Sequence, residues 1–505
     1  MTSVLQTRTS GVLLHPTSLP SPGPIGDFGA EAFAFADFLH EAGQSWWQML
    51  PIGPAGRANS PYHALSTFAG SPLLVSLAPL RDRGWLPTEK NDVEPLPSSP
   101  SSHVNFALAA RDKLHHLRRA WSKFAEAGSI QDRSDFADFV RDESHWLDDF
   151  ALFCALQKQF HTPDWSRWDA EYRNRQPQAL DRARDVLAAE IHFHQFAQWQ
   201  FSEQWFALRE YCRQRHIGLI GDVPIFPAHQ SADVWANQQI FKLDAAGKPT
   251  VVAGVPPDYF SETGQKWNLP LYRWDVLKSQ NYDWWVKRLQ MATRRFDILR
   301  LDHFIGFVRA YEVPAHDRTA KNGKYEAGPA EDFFHALRGR LGSLPLIAED
   351  LGHVTPEVHA LRDQFNLPGM RVLQFEFEPS KEADAFKPDR YCANCVLYPG
   401  THDNDTTLGW FQQLNEPLRS TIPQALSINE SGFCWAFISA AFATNANTVI
   451  VPAQDLLKLG TESRMNIPGV ERDNWRWRIP HAALTGQLAA QLRELTAKSN
   501  RLRIR

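Results

Sequence analysis

The chain has 505 residues, of which 22% are charged, and its formal net charge is −4. This near-neutral balance, without a basic block, excludes the charge profile of a nucleic-acid-binding or membrane-surface protein. No apolar run approaches the roughly 18 residues of a membrane span, and five cysteines are too few for a disulfide scaffold.

Eight short apolar runs predict strands, and several of them lead into polar, glycine or proline residues. Near-continuous apolar runs are typical of parallel strands that are buried on both faces. In chain order the runs are GVLLHP (11–16), SWWQMLP (45–51), IGLIGDVPIF (217–226), FDILRLDHF (296–304), LPLIAEDLG (344–352), GMRVLQFEF (369–377), CVLYPGTHD (395–403) and NTVIVPAQDLL (447–457).

Amphipathic patterns between these runs predict helices. Residues 30–43 form one such pattern, with Gly43 as its C-terminal stop, and residues 331–342 form another. A third, 355–366, begins with Thr355 as N-cap. The alternation of strand and helix predicts an α/β fold, the (β/α)8 or TIM barrel.

Two stretches are too long to be simple connections. Residues 57–215 contain a Pro/Ser-rich segment (86–106) and then a mostly helical stretch, and residues 227–295 contain a Gly/Pro-rich loop and another helix. We interpret both as large insertions on the C-terminal face of one catalytic domain that spans residues 1–505.

One CxxC pair, Cys392 and Cys395, lies within YCANCVLYPG. No second CxxC and no paired-histidine motif accompanies it, so we favour a structural role over a redox or metal role. The N-terminal MTSVLQTRTSG lacks the plan of a signal peptide, and we therefore expect a reduced, cytoplasmic location.

Polar side chains gather where the predicted strands end, which is where TIM barrels place their active sites. A single one would be read as an N-cap or a loop salt bridge, but several at equivalent strand ends favour a functional site. The positions are Asp222, then Arg300, Asp302 and His303, then Glu349 and Asp350, and finally His402, Asp403 and Asn404.

Retaining glycoside cleavage needs such carboxylates, because it uses one ionised carboxylate and one carboxylic acid roughly 5–5.5 Å apart. Arg300 lies two residues before Asp302, so both would face one side of the strand and the guanidinium would favour an ionised Asp302. Glu349 follows the apolar LIA, where desolvation would raise its pKa as a general acid requires. Asp403 could stabilise an oxocarbenium-like transition state.

A different chemistry uses the same residue types. Phosphoryl or isomerase enzymes bind Mg²⁺ with oxygen ligands, and the candidates here would be Asp222, Asp302, Glu349, His402 and Asp403. An arginine beside the key aspartate would compete with a cation, and no GxxxxGK phosphate loop is present. We therefore expect neither a metal nor a cofactor.

The sequence blocks RLDH, AEDLG and THDN resemble those of the 4-α-glucanotransferases of glycoside hydrolase family 77, also called amylomaltases or disproportionating enzymes. The resemblance covers almost the whole chain. It continues in GVLLHPTSLPSPGPIGDFG, WWQMLPIGPAGRANSPYHALSTFAGSPLL, GDVPIF, VVAGVPPDYFSETGQKWNLPLY and NIPGVERDNWRWR.

The resemblance implies a role for each matching residue. It makes Asp302 the nucleophile, Glu349 the general acid/base and Asp403 the transition-state stabiliser. Tyr62 in SPY becomes an aromatic platform for a glucose unit, and the 254–267 loop becomes a flap over the acceptor side. The other implied substrate-binding residues are Asp222, Asp258, Tyr259, Phe260, Trp267, Arg300, His303, His402 and Asn404.

Two local features stand apart from these roles. The chain reads QKWNLP where the family commonly has WGNP, and the lost glycine would change the turn of the flap. Trp475 and Trp477 alternate with arginines in NWRWR, which indicates an extended segment that packs both rings inward in a structural role.

The implied activity is transfer of an α-1,4-glucan segment to the 4-hydroxyl of an acceptor glucose or glucan by a retaining double displacement, as in disproportionation of maltooligosaccharides, starch or glycogen. The expected partners are the donor and acceptor sugars, without nucleic acid or membrane. Two alternatives remain. An α-1,4-glucan hydrolase of amylase type would share the carboxylates but not the exclusion of water, and a non-catalytic glucan-binding protein would lack one carboxylate.

Overall fold

The computed structural model describes residues 5–87, 102–257, 261–377, 387–426 and 432–503. Each of the eight predicted runs overlaps a barrel strand, so the predicted (β/α)8 barrel is confirmed. In chain order the strands are β1 (Thr9–Leu13), β2 (Trp46–Gln48), β3 (Gly218–Pro224), β4 (Val251–Val255), β5 (Gln265–Pro270), β6 (Ile298–Asp302), β7 (Arg309–Pro314), β8 (Lys324–Ala327), β9 (Leu346–Ala348), β10 (Gly369–Val372), β11 (Cys395–Tyr398) and β12 (Thr448–Pro452).

The barrel is closed and its strands are parallel, in the order β1-β12-β11-β10-β9-β6-β3-β2. Closure joins the two ends of the chain, because Thr9 on β1 lies opposite Thr448 on β12. The threonine hydroxyls at this seam are 3.1 Å apart. All strands therefore point their C-terminal ends at one face of the barrel.

The barrel interior is apolar towards its N-terminal end. Alternate strand residues point inward, including Ile220, Ile298 and Ile347, while the intervening residues pack against the surrounding helices. Trp46 fills the bottom of the interior. It fits because Gly218 has no side chain; a Cβ there would lie 2.3 Å from the indole ring.

Helices surround the barrel, and the predicted helices over 30–43, 331–342 and 355–366 are present as α1, α12 and α13. Their bounds are α1 (Ala30–Glu41), α2 (Ala78–Asp82), α3 (Phe106–Ala127), α4 (Ile130–Asp142), α5 (Ser144–Phe160), α6 (Ala170–Arg173), α7 (Pro177–Val186), α8 (Ala188–Gln214), α9 (Ala232–Ala236), α10 (Trp274–Ser279), α11 (Asp283–Arg295), α12 (Ala330–Leu341), α13 (Pro356–Gln364), α14 (Thr407–Gln413), α15 (Glu416–Ala425), α16 (Phe433–Ala443), α17 (Ala453–Leu456) and α18 (Gly486–Lys498).

A second, antiparallel sheet lies beside the barrel in the order β5-β4-β7-β8. The sequence predicted only a loop and a helix for residues 227–295, and that prediction was wrong for β4 and β5. These two strands pair with each other and, through β4, with β7, which lies beyond the next barrel strand. The sheet therefore draws on segments on either side of β6.

The stretch between β2 and β3 carries α2 to α8 and is largely helical, as predicted. Part of its Pro/Ser-rich segment, 88–101, lies outside the described residues. Assignment of this stretch and of 227–295 to insertions in one domain remains a prediction. Across the parts of the chain that the structure describes, no helix has both the length and the apolar character that crossing a membrane requires.

Candidate active site

The strand register brings the predicted carboxylates together. Asp222 on β3 lies opposite Arg300 on β6, so their side chains point inward at the same level. Leu301 on β6 lies opposite Ala348 on β9, which places Asp302 and Glu349 at the next step of neighbouring strands. Parallel strands in register thus present these groups at one rim of the barrel.

Arg300 is the buried centre of the site. Its Nη1 donates to both carboxylate oxygens of Asp222 at 2.8 Å and lies 2.9 Å from Oδ1 of Asp302, while Nε faces the Met370 sulfur at 3.3 Å. Burial alone would lower the pKa of Arg300, but the two aspartates outweigh it and hold that pKa well above its ordinary value. Arg300 is therefore a fixed positive charge against Asp302.

Tyr62 extends this network to the loop after β11. Its hydroxyl donates to Asp222 Oδ2 at 2.7 Å and accepts from His402 Nε2 at 2.8 Å. The Tyr62 and His402 rings are stacked, with centroids 5.4 Å apart and an interplanar angle of 14°. Burial and the negative charge of Asp222 raise the pKa of Tyr62 well above its usual range, so the hydroxyl keeps its proton.

Glu349 has a different environment from Asp302. Its carboxyl group accepts from the backbone amides of His303 at 2.7 Å and Leu351 at 3.1 Å, and only 9% of the residue is exposed. Burial, aided by the negative charge of Asp302 and opposed by Arg300, raises the pKa of Glu349 to about 8. This agrees with the sequence expectation of a desolvated acid.

Asp403 is the most open of the three predicted catalytic carboxylates, with 45% of its side chain exposed. Asn466 Nδ2 donates to its Oδ1 at 2.6 Å, and Arg464 donates to its backbone carbonyl at 2.6 Å. Sequence reasoning placed Asn466 in a matching block without a role and did not consider Arg464. Only its position two residues before NIPG could have pointed to Arg464.

His303 contacts Trp267, a residue of the predicted flap. Their rings form an edge-to-face pair with centroids 4.9 Å apart. Burial lowers the pKa of His303, so the ring is neutral near pH 7. The other predicted flap residues, Asp258, Tyr259 and Phe260, lie outside the described residues.

The altered flap sequence keeps a left-handed turn. Asn268 stands at the position where the family commonly has glycine in WGNP, and its φ is +59°. Asparagine tolerates this conformation better than most residues because its short side chain bonds locally. Asparagine therefore keeps a left-handed turn where the loss of glycine was expected to change it.

Two polar residues near the rim face neighbours rather than the barrel opening. Asn404 Oδ1 accepts from the backbone and hydroxyl of Thr401 at 2.9 and 2.8 Å, so this side chain braces the loop after β11. Asp350 points outward, where it pairs with Arg362 at 2.5 Å and accepts from the Met370 amide at 2.7 Å.

Both tryptophans of NWRWR are buried, as predicted, but the segment is not extended throughout. The Trp475 φ of +65° breaks the predicted extended segment, and the two tryptophans are buried in different clusters. The Trp475 ring lies 5.8 Å from Tyr62 and 6.1 Å from His402, while Trp477 packs in the outer core. Trp475 therefore packs beside the stacked Tyr62 and His402 rings, a position that the alternation with arginine did not reveal.

Comparison with known proteins places this geometry among sugar-transferring enzymes. The sequence model described as 4-alpha-glucanotransferase matches residues 14–485. The 4-alpha-glucanotransferase of Thermus thermophilus is 44% identical over 503 residues, covering 98% of this chain and 99% of that protein. The 4-alpha-glucanotransferase of Synechocystis is 44% identical over 497 residues, with 98% of both chains covered.

Solved structures give the same result. The amylomaltase from Streptococcus agalactiae in complex with acarbose superposes with a TM-score of 0.94 at 34% identity, covering 98% of this chain and 100% of that one.

Proposed function

The chain belongs to the 4-alpha-glucanotransferase family, glycoside hydrolase family 77, and on that premise we propose which of its residues carry the reaction. The chain is a glucan transglycosylase that acts on α-1,4-glucans. We propose that acceptors are glucose and maltooligosaccharides, and that transfer to their 4-hydroxyl retains the α configuration.

The contrast between Asp302 and Glu349 carries the proposed mechanism. Arg300 lies 2.9 Å from Asp302, so a fixed positive charge faces this carboxylate. Burial raises the pKa of Glu349 to about 8, so its carboxyl group is mostly protonated near pH 7. A retaining enzyme needs one ionised carboxylate and one carboxylic acid.

In the first step, the Asp302 carboxylate attacks the anomeric carbon of the donor. The bond from that carbon to the leaving oxygen breaks while Glu349 gives its proton to that oxygen. The product is a β-linked glucosyl ester on Asp302. Positive charge develops on the sugar ring in the transition state, and Asp403, fixed by its 2.6 Å contact with Asn466, stabilises that charge.

In the second step, Glu349 acts as a base. It takes the proton of an acceptor 4-hydroxyl, whose oxygen attacks the anomeric carbon and displaces Asp302, so an α-1,4 bond is re-formed. Neither step calls for a metal or a cofactor. Water in place of the acceptor would give hydrolysis, and we propose that Trp267 on the flap helps to hold the acceptor and exclude water.

The residues around Arg300 would hold the sugar next to the scissile bond. Tyr62 offers its ring as a platform, and Asp222 and His402 fix the tilt of that ring through its hydroxyl. Because the Streptococcus agalactiae amylomaltase was solved in complex with acarbose, we expect this chain to bind acarbose at its carboxylates.

The mechanism is tested by Asp302→Asn and Glu349→Gln. Each change removes one required protonation state, so transfer from maltotriose should fall by about 10³-fold or more. Folding should be retained, as judged by circular dichroism. Asp363→Asn, whose carboxylate is 64% exposed beside Arg362, serves as the control and should keep full activity. Near-normal transfer in either active-site variant would contradict the assignment.

Transfer is separated from the hydrolase alternative by following chain lengths and reducing ends together, with maltotriose as the only substrate. A ladder of longer glucans plus glucose at constant reducing ends indicates transfer, because each broken bond is re-made. Shorter products with rising reducing ends would indicate hydrolysis. No reaction on maltotriose or amylose would favour a non-catalytic binding protein.

We also propose that the protein works in the cytoplasm. All five cysteines are free thiols, which is in keeping with a reducing compartment. Fractionation of the source cells with an antibody against the chain tests this location.

A further inference from the structure

The CxxC pair lies at the end of the barrel opposite the carboxylates. Cys395 is the first residue of β11 and is buried, whereas Cys392 lies in the loop that leads into the strand and is exposed. His402 and Asp403 follow the other end of the same strand. The pair is therefore separate from the glucan site, although one strand connects the two.

The remaining cysteines have the environment of inert core residues. Cys154, Cys212 and Cys434 are all buried, and burial raises the pKa of each thiol, to about 12 for Cys212 and about 11 for Cys434. Thiols that stay protonated and inaccessible are poor nucleophiles. Reactivity towards solvent is thus concentrated at Cys392.

The two cysteines of the pair are in contact. The Cys395 thiol donates to the Cys392 carbonyl oxygen at 3.0 Å, so the buried thiol faces the exposed residue. The proximity of the Cys395 thiol, helped by the nearby guanidinium groups of Arg371 and Arg362, outweighs burial and lowers the pKa of Cys392 to about 6. The proximity of Cys392, together with burial, raises the pKa of Cys395.

We propose that Cys392 and Cys395 form a thiol–disulfide exchange site for low-molecular-weight disulfides, with Cys392 as the attacking thiol and Cys395 as the resolving thiol. This goes beyond the structural role that the sequence favours for the motif. Metal binding would need more ligands than the pair, and within the described ranges no group of three or more His, Cys, Asp or Glu side chains is arranged to hold an ion.

The reaction has two exchange steps. The Cys392 thiolate attacks one sulfur of the disulfide RSSR, which forms a mixed disulfide on Cys392 and expels RS⁻. Cys395 then loses its proton and attacks the Cys392 sulfur, which expels the second RS⁻ and closes the Cys392–Cys395 bond. Two protein thiols are oxidised and RSSR is reduced; the two protons released end on the two RS⁻ groups. A small dithiol reverses the sequence.

The test exposes the full-length folded protein to oxidised glutathione at pH 7.5. Intact mass should fall by about 2 Da through loss of two hydrogens. Peptide mapping should link Cys392 to Cys395, and dithiothreitol should restore the starting mass. Cys434→Ser is the matched control and should behave as the wild type does.

Two variants distinguish the thiols. Cys395→Ser should stop at the mixed disulfide and gain one glutathionyl group on Cys392, whereas Cys392→Ser should stay unmodified because its remaining thiols are buried. An unmodified wild-type protein, or modification centred on another cysteine, would overturn the proposal.

A measurement on the unmutated protein covers the case in which Cys395→Ser does not fold. The rate of Cys392 alkylation by iodoacetamide should rise with pH to a midpoint near 6, as the pKa of about 6 requires. A midpoint at or above the ordinary thiol value of 9.0 would overturn the proposal.

Discussion

Glu349 illustrates how one buried side chain links function to stability. Its pKa rises from an ordinary value of 4.5 to about 8 because the folded chain removes its carboxyl group from water. The folded state thus holds a proton that the unfolded state gives up at lower pH. By linkage, stability falls as pH rises through this interval.

We therefore expect Glu349→Gln to stabilise the fold at high pH. The stabilisation should be small well below pH 4.5, where the wild-type carboxyl is largely protonated in both states. It should grow to the order of a few kcal/mol above pH 8, where the wild type must ionise a buried group. Tm values of both proteins across this range measure the effect; a constant difference would contradict the raised pKa.

The raised pKa of Glu349 also predicts how activity depends on alkaline pH. The first step needs the protonated acid, so kcat/KM for maltotriose should decline as pH rises past about 8. A pH–rate profile measures this midpoint. A midpoint near 4.5, the ordinary value of a glutamate, would contradict the raised pKa.

Tyr62 should matter through its hydroxyl as well as its ring. Tyr62→Phe removes the bonds to Asp222 and His402 but keeps the stacking face, so we expect kcat/KM to fall by about tenfold. Tyr211→Phe removes a comparable hydroxyl–carboxylate contact, with Asp37, and is the control. Equal activity in both variants would reduce Tyr62 to a packing residue.

At this scale the sequence could predict which carboxylates gather, because strand ends and spacing are local properties. It could not predict that Asn404 would turn towards Thr401, or that Asn466 would reach Asp403. Both outcomes depend on which loop crosses above the rim. Such long-range contacts leave no period in the sequence.

Among the elements, the antiparallel β4–β5 pair flanks the proposed flap, residues 254–267. Gly254 lies in this hairpin, and a Cβ there would come within 2.3 Å of the Gln265 carbonyl oxygen. The hairpin therefore tolerates no side chain at this position, and β5 carries Trp267 towards His303.

Gly254→Ala should shift the hairpin and displace Trp267 on β5. Because Trp267 is proposed to hold the acceptor and exclude water, the ratio of transfer to hydrolysis should fall several-fold. Gly339→Ala is the matched control. Gly339 lies exposed within α12 with open space around it, so alanine there should stabilise the helix by roughly 0.5–1 kcal/mol. The maltotriose assay reads the first effect and Tm the second. An unchanged product ratio in Gly254→Ala would argue against the flap as the determinant.

Barrel strands and the amphipathic helices could be predicted because each follows its own hydrophobic pattern. The antiparallel sheet could not, since VVAGV is short and its partner β7 lies some way along the chain, after β6. Pairing between strands that are separated by a barrel strand in the chain depends on tertiary packing. Only the structure reveals it.

At the scale of the whole molecule, one arginine near the C-terminus links β1 and β12, the pair of strands that forms the seam of the closed barrel. Arg501 is fully buried, and its guanidinium donates to the carbonyls of Thr9, Phe442, Thr444 and Asn447 at 3.0–3.1 Å. These carbonyls belong to the segments around β1 and β12. The last residues of the chain thus hold its first and last barrel strands together.

Arg501→Ala should remove four buried hydrogen bonds and cost about 2–4 kcal/mol, with a Tm lower by several degrees; Arg8 would still donate to the carbonyls of Phe442 and Thr444. Arg493→Ala, which removes an exposed side chain with one long 3.4 Å contact to Glu41, should change Tm little. Scanning calorimetry compares them. Similar Tm values for the two variants would contradict the role of Arg501 at the seam.

Pairing of β1 with β12 also determines when, during synthesis, the barrel can close. During synthesis β1 leaves the ribosome early, but its partner β12 follows more than 430 residues later, at Thr448–Pro452. At about 5–20 residues per second, the first strand keeps one edge unpaired for roughly 20–90 s. An unpaired strand edge invites association with other chains, so each nascent chain needs shielding until its final segment emerges.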